Sequence, residues 1–173
     1  MIPLLCAALA MAPPDGRTEP PATGARELVL DERVLMRHGD ITVWAGGFGS
    51  AMARHPQHPD LFYFLSDRGP NAGTGREDEK RFLRPAHAPR IGLFRPEGAR
   101  LRKVREILLR DATGRPLTGL PNPPGAGGTG ERAIDTRGRE LAPDPTGVDP
   151  EGLVALPDGT FWVAEEYGPS APP

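Results

Sequence analysis

LFYFLSDRGPN, residues Leu61 to Asn71, is an aromatic run of strand type that stops on an acid, a base, a glycine and a proline. TFWVAEEYGPS, Thr160 to Ser170, repeats the pattern: Phe62 matches Phe161, Tyr63 matches Trp162, Asp67 matches Glu166, Gly69 matches Gly168 and Pro70 matches Pro169. Each copy follows a glycine-led strand, Gly49-Ser-Ala-Met-Ala in the first and Gly152-Leu-Val-Ala-Leu in the second, with a turn between. A glycine-led strand, a turn, an aromatic strand and then an acid is the pattern of a propeller blade, whose inner strands line a central channel.

Working outward, alternating apolar runs mark strands at Glu27–Leu30, Ile41–Ala45, Leu61–Ser66, Arg90–Arg95, Leu101–Leu109, Glu151–Leu156 and Thr160–Ala164. No amphipathic helix interrupts them. Pro96-Glu97-Gly98 and Pro157-Asp158-Gly159 join strands in sequence order, and Asp-Gly is a cue for the primed hairpin turns. The fold class is therefore all-β, an antiparallel meander of propeller-like blades. Thr113 to Pro150 is dominated by glycine, proline and polar residues, and reads as a long loop that is either functional or disordered.

Glycine and proline, 22 of each in 173 residues, make up about a quarter of the chain, near the level where disorder competes with turn-rich folding; the alternating aromatic runs favour the turns. Net charge is −2 with both signs interspersed, which removes the basic field that non-specific nucleic-acid binding requires. No apolar run is long enough to span a membrane. MIPLLCAALAMAPP has an apolar core from Ile2 to Met11 and small residues at Ala8, Ala10 and Ala12, so residues 1–12 read as a secretory signal although no Lys or Arg precedes the core. Cleavage there removes Cys6, the one cysteine, and with it disulfides and thiolate metal sites. Residues 13–26 read as a flexible lead-in and 27–173 as the folded part, exported to a periplasmic or extracellular location.

AGGFGSAM, LSDRGPN, PRIGLF, GRPLTGLPNP and DPTGVDPEGLVALPDGTFWVAEEYGPS, in that order from about Trp44 to Ser170, resemble the N-terminal part of the phytase-like domain, a bacterial family with an esterase-like activity of phytase. The resemblance implies a β-propeller, export, and hydrolysis of a phosphate or carboxylic ester carried by a small anionic or ester substrate. Family members continue past EEYGPS. About seven strand candidates against the four blades that close a propeller imply an incomplete ring with open sheet edges, prone to self-association.

Acids fall at strand ends: Asp67, then Asp149 and Glu151, then Glu165 and Glu166. In a propeller these ends converge, so Asp67, Asp149, Glu151 and Glu166 are candidate ligands for a hard cation such as Ca²⁺, which would polarise a phosphoryl or acyl oxygen. The alternative is that Asp67 and Glu166 accept hydrogen bonds from the backbone of the turns they precede. Arg68 and Asn71 are candidates to clamp an anionic substrate; Arg68 reads equally as a loop charge paired with Asp67. Tyr167 occupies the position that matches Arg68. No nucleophile is assigned: Ser50 lacks the flanking pattern of a nucleophile elbow. Gly125 to Glu131 lacks the Lys-Ser/Thr ending of a phosphate loop, and His55 and His58 sit in a solvent-facing turn. Trp44, Phe62, Tyr63, Phe161 and Trp162 read as core. A non-catalytic ligand-binding propeller, or an inactive fragment, is the competing reading.

Overall fold

The computed structural model describes residues 27–30, 33–125 and 128–168. The candidate signal (1–12), the lead-in (13–26), Ala126, Gly127 and the last residues of the second repeat lie outside them.

Eleven strands are present among the described residues and no helix: β1 (Val34–His38), β2 (Ile41–Trp44), β3 (Ala51–Arg54), β4 (Phe62–Leu65), β5 (Asn71–Gly73), β6 (Glu79–Phe82), β7 (Arg90–Glu97), β8 (Arg100–Leu108), β9 (Arg132–Ile134), β10 (Pro150–Ala155) and β11 (Phe161–Glu165). The all-β expectation stands, and no sheet closes on itself among the described residues. Strands β3-β4-β7-β8 form an antiparallel sheet of four. Strands β1-β2 and β10-β11 form two hairpins, and β5-β6-β9 a sheet of three.

Two features depart from a simple meander. The chain leaves the four-stranded sheet after β4, makes β5 and β6 elsewhere, and returns as β7; and β9 joins β6 in parallel. The expected first strand is a single parallel bridge from Val29 to Arg100 at the open edge of β8.

The two sequence repeats are two hairpins in matching register. Leu65 pairs with Ala51 and Phe62 with Arg54; the equivalent Ala164 pairs with Gly152 and Phe161 with Ala155. They lie side by side. Strand β10 rests against β3 and β4, the Tyr63 and Phe161 rings meet edge to face at 4.9 Å, and Gln57 Nε2–H donates to Pro157 O at 3.1 Å. The Pro157-Asp158-Gly159 turn is not of the primed type, because only Gly159 has positive φ, at 87°. The Asp158 carboxylate instead accepts the Thr160 N–H at 2.9 Å, a side-chain turn followed by a left-handed glycine.

The stretch from Thr113 to Pro150 is ordered over its described residues by one device used three times. In Asp111-Ala-Thr-Gly, Asp135-Thr-Arg-Gly and Asp144-Pro-Thr-Gly, the aspartate Oδ1 accepts the N–H two residues on, at 2.9, 2.8 and 2.9 Å. The glycine N–H then donates back to the aspartate carbonyl, at 2.9, 3.1 and 2.9 Å. Each turn satisfies its own backbone. The expected functional or disordered loop is thus a series of tight turns carrying β9.

Leu65, Ile91, Phe94, Phe82 and Tyr167 are at most 2% exposed and form the core; Leu65 and Ile91 are cross-strand partners, and Phe94 takes the edges of Phe48 and Phe64 at 5.1 and 5.4 Å. The tryptophans are not core, contrary to the sequence reading: Trp44 is 51% and Trp162 71% exposed. Both occupy two-stranded hairpins, which have no second layer over their outer face.

A tight backbone approach lies at Gly119, where a Cβ would stand 1.9 Å from the Arg68 carbonyl oxygen. Backbone on both sides leaves no flexible group to yield. Gly119→Ala is expected to lower the unfolding free energy by about 2 kcal/mol or more, read as a shift of the urea midpoint; an unchanged midpoint would show that this approach is looser than described.

Candidate functional site

Strand β4 ends at Leu65, and the five residues after Ser66 divide two clefts between them. Asp67, Gly69, Pro70 and Asn71 line a cleft of about 700 Å³ under the β1–β2 hairpin. Arg68, pointing the other way, lines one of about 240 Å³ with Glu77, Asp78, Glu131, Asp149 and Glu166.

Arg68 is the centre of the second region. Its side chain is 17% exposed; Nε lies 3.1 Å from Asp149 Oδ2 and Nη1 lies 2.9 Å from Glu131 Oε1. Nη1 also donates to the Tyr167 hydroxyl at 3.1 Å, and the guanidinium carbon stands 5.7 Å from the Tyr167 ring centre and 5.8 Å from that of Phe82. The Arg68 N–H donates to Asp149 Oδ1 at 3.1 Å. Tyr167, 1% exposed, donates its hydroxyl to the Gly119 carbonyl at 2.9 Å, and burial pushes its phenol up. Matching positions of the two repeats therefore meet. Arg68 pairs with Asp149 and Glu131, not with Asp67.

The second repeat is held by Glu165, whose carboxylate accepts the N–H groups of Asp149 at 2.8 Å, Tyr167 at 2.9 Å and Gly168 at 3.0 Å. These bonds fix Asp149 beside Arg68. They also bring together three of the four candidate cation ligands: one carboxylate oxygen from each of Asp149, Glu151 and Glu166 lies within 4.8 Å of the others. Asp149 is 3% exposed, while Glu151 and Glu166 face solvent. Ser50 closes the near side, its hydroxyl hydrogen-bonded to the Pro150 carbonyl and 3.2 Å from Glu151 Oε2.

Three carboxylates, one anchored and two exposed, suit a hard divalent cation in kind. The anchored one is shared, since both Asp149 oxygens already meet Arg68. Asp67 stands outside this set. Its Oδ1 accepts the Gly69 N–H at 2.8 Å, the turn-capping role, and the Asn71 amide donates to Gly69 O at 3.1 Å. Asp67 and Asn71 thus belong to the larger cleft and Arg68 to the smaller. Sequence reasoning missed Tyr167, Glu131 and His87 as members of these sites. The alignment of Arg68 with Tyr167 was the signal for the first; Glu131 lay hidden at the end of a glycine-rich stretch.

His87 forms the floor of the larger cleft. A Cβ on Gly69, whose φ is 99°, would come within 2.7 Å of its ring, so the turn after Arg68 seats on this histidine. Burial, then the Arg90 charge, hold the imidazole down at about 4. Asp149 moves the other way: burial raises its carboxyl to about 6, against the pull of Arg68 and with repulsion from Glu151 and Asp67.

These two groups give opposite pH dependences. His87 is neutral when folded and binds its proton more readily when unfolded, so its contribution is present above pH 6.5 and lost as pH falls toward 4. Asp149 binds its proton more readily when folded, so its carboxylate costs stability above about pH 6 and the cost is relieved as pH falls toward 3.8. Between pH 7.5 and 5, with a chelator present, Asp149→Asn is expected to lose stability relative to wild type, and His87→Gln to gain it, each on the order of 1 kcal/mol. Thermal unfolding at the two pH values checks this, and parallel curves for all three chains would contradict it.

A family model for phytase-like proteins, described as esterase-like activity of phytase, matches residues 43–171. The chain is 29% identical over 163 aligned positions to an uncharacterized secreted protein of Arthroderma benhamiae, covering 77% of this chain and 30% of that protein. The chain thus spans about a third of that relative's length. No solved structure matches it. With the DRGPN and EEYGP ends joined at Arg68 and Tyr167 inside the matched region, the chain belongs to the phytase-like family.

Proposed function

We propose that this is an exported phytase-like protein that hydrolyses a phosphate or carboxylic ester with the help of a divalent cation of the calcium class. Family membership supports the ester chemistry. The secreted relative and the signal-like N-terminus support export. The observation that carries the reading is the acid surplus around one buried cation. Glu77, Asp78, Glu131, Asp149 and Glu166 line the smaller cleft with Arg68, and among the described residues only Asp78 has a further cation, Arg76 at 3.4 Å, so an anionic substrate is repelled there until a cation reduces the charge.

Asp149, Glu151 and Glu166 are the residues that would hold the cation. When bound, such an ion polarises a phosphoryl or acyl oxygen and acidifies a water. Arg68 keeps Asp149 in place, and Glu165 fixes the backbone at Asp149, Tyr167 and Gly168. Arg68 acts through Asp149 on the geometry of the acid cluster, while Asp67 and Asn71 lie across the loop in the other cleft.

The architecture is part of the proposal. A four-stranded antiparallel sheet has the strand number of a propeller blade, and β10–β11 beside it has the register of the start of a second. A scaffold that binds without turnover is the alternative, favoured by the commitment of Arg68 to three protein partners. Self-association is a further part of the reading, supported by Met52, Val154 and Trp162, 59%, 54% and 71% exposed on the two adjoining hairpins.

Calorimetric titration with Ca²⁺ at pH 7.5 is expected to give one site that Glu151→Gln and Glu166→Gln each weaken on the order of tenfold, with Asp67→Asn near wild type. Hydrolysis of p-nitrophenyl phosphate or p-nitrophenyl butyrate is expected to stop on adding a chelator and to return with Ca²⁺. Turnover indifferent to the chelator would overturn the metal-assisted reading, and cation binding without turnover on either ester would favour the scaffold.

A further inference from the structure

We propose that the larger cleft, under the β1–β2 hairpin, binds a small amphiphile with a single anionic head group. This site is separate from the acid cluster and independent of hydrolysis there.

Its two walls differ in chemistry. Strands β1 and β2 contribute Leu35, Ile41, Val43 and Trp44, and Phe48 follows. Val43 and Phe48 are buried, while Leu35, Ile41 and Trp44 are 40%, 39% and 51% exposed, so the hairpin leaves much of this apolar wall open. Facing it are Arg84, His87, Arg90 and Lys103. A volume of about 700 Å³ lies within the range of small-molecule sites, which pair an apolar lining with a few convergent polar groups.

The charge accounting limits the head group. Glu106 lies between Arg90 and Lys103, at 2.9 and 2.7 Å, and neutralises one of them while bridging both. Asp67 adds a negative charge at the rim, and Arg33 has a partner of its own. Arg84 is exposed and joins no ion pair among the described residues. One guanidinium with free donors, backed by a shared pair, matches one phosphate or carboxylate. It does not match a ligand carrying many phosphates, which would also lose half its contacts to the apolar wall. The bulge between β7 and β8 at Leu93/Phe94 supports this arrangement, because the extra residue Val104 lets Lys103 and Glu106 both face the cleft.

The test uses the full chain carrying Trp162→Phe, which leaves Trp44 as its one tryptophan, with a chelator present throughout. Octyl phosphate, added below its micelle concentration, is expected to shift Trp44 emission to shorter wavelength and to saturate. Octyl glucoside, inorganic phosphate and inositol hexakisphosphate should each bind at least ~10-fold more weakly, since each lacks one half of the match. Arg84→Gln and Ile41→Glu, both at exposed positions, should each weaken octyl phosphate on the order of tenfold. Equal binding of octyl glucoside, tighter binding of inositol hexakisphosphate, a response unaltered by both variants, or a response only to anionic lipid vesicles would overturn the proposal. Because the chelator removes cation-dependent turnover, failure here is distinct from failure of the hydrolytic reading.

Discussion

A guanidinium withdrawn from water costs several kcal/mol unless anions and acceptors surround it, and Arg68 meets that demand with groups from three distant parts of the chain. Glu131 comes from the glycine-rich connection, Asp149 from the entry to β10 and Tyr167 from the exit of β11. The interaction orders more than it stabilises. Replacing such a group by an apolar one of the same size is often tolerated, whereas removing a single partner leaves an uncompensated charge. What Arg68 fixes is the placement of the second hairpin against the first, and with it the position of every acid in the cluster. Glu165 completes this from below by taking three backbone N–H groups that would otherwise be unpaired where the chain turns.

From that constraint follows the division of the molecule into two clefts of opposite character. Asp67 faces the basic and apolar cleft and its neighbour Arg68 the acidic one. The cross-over puts an acid on the basic side and a base on the acidic side. Each cleft thereby gains an opposite charge from this loop, and the five residues from Asp67 to Asn71 couple the two. His87, held neutral by burial, is the seat on which that coupling loop turns at Gly69.

The all-β class and most of the long strands were legible in the sequence, because Phe62–Leu65, Arg90–Glu97 and Phe161–Glu165 alternate clearly enough to outweigh a high glycine and proline content. Short strands were not. Asn71–Gly73, Glu79–Phe82 and Arg132–Ile134 are too short to show a clear period, and β6 pairs with β9 in a parallel contact that no local pattern announces. The Asp-x-x-Gly turns looked like loop material, since their order comes from side chain to backbone bonds that leave no hydrophobic period. Three of the four candidate cation ligands meet, because strand ends do converge; Asp67 stands apart, capping the Gly69 N–H in the turn it precedes. The exposed tryptophans show the limit of reading aromatic residues as core when the element carrying them has only two strands.

The most direct test is a double-mutant cycle between Arg68→Met and Asp149→Asn, with unfolding free energies from urea denaturation. If Arg68 holds the two hairpins through Asp149, the double variant should lose about 2 kcal/mol less than the sum of the single losses, because each single change strands the other group. Losses that add to within about 0.5 kcal/mol would mean that the two groups do not depend on each other, and that something other than the Arg68 network sets the second hairpin and its acids in place.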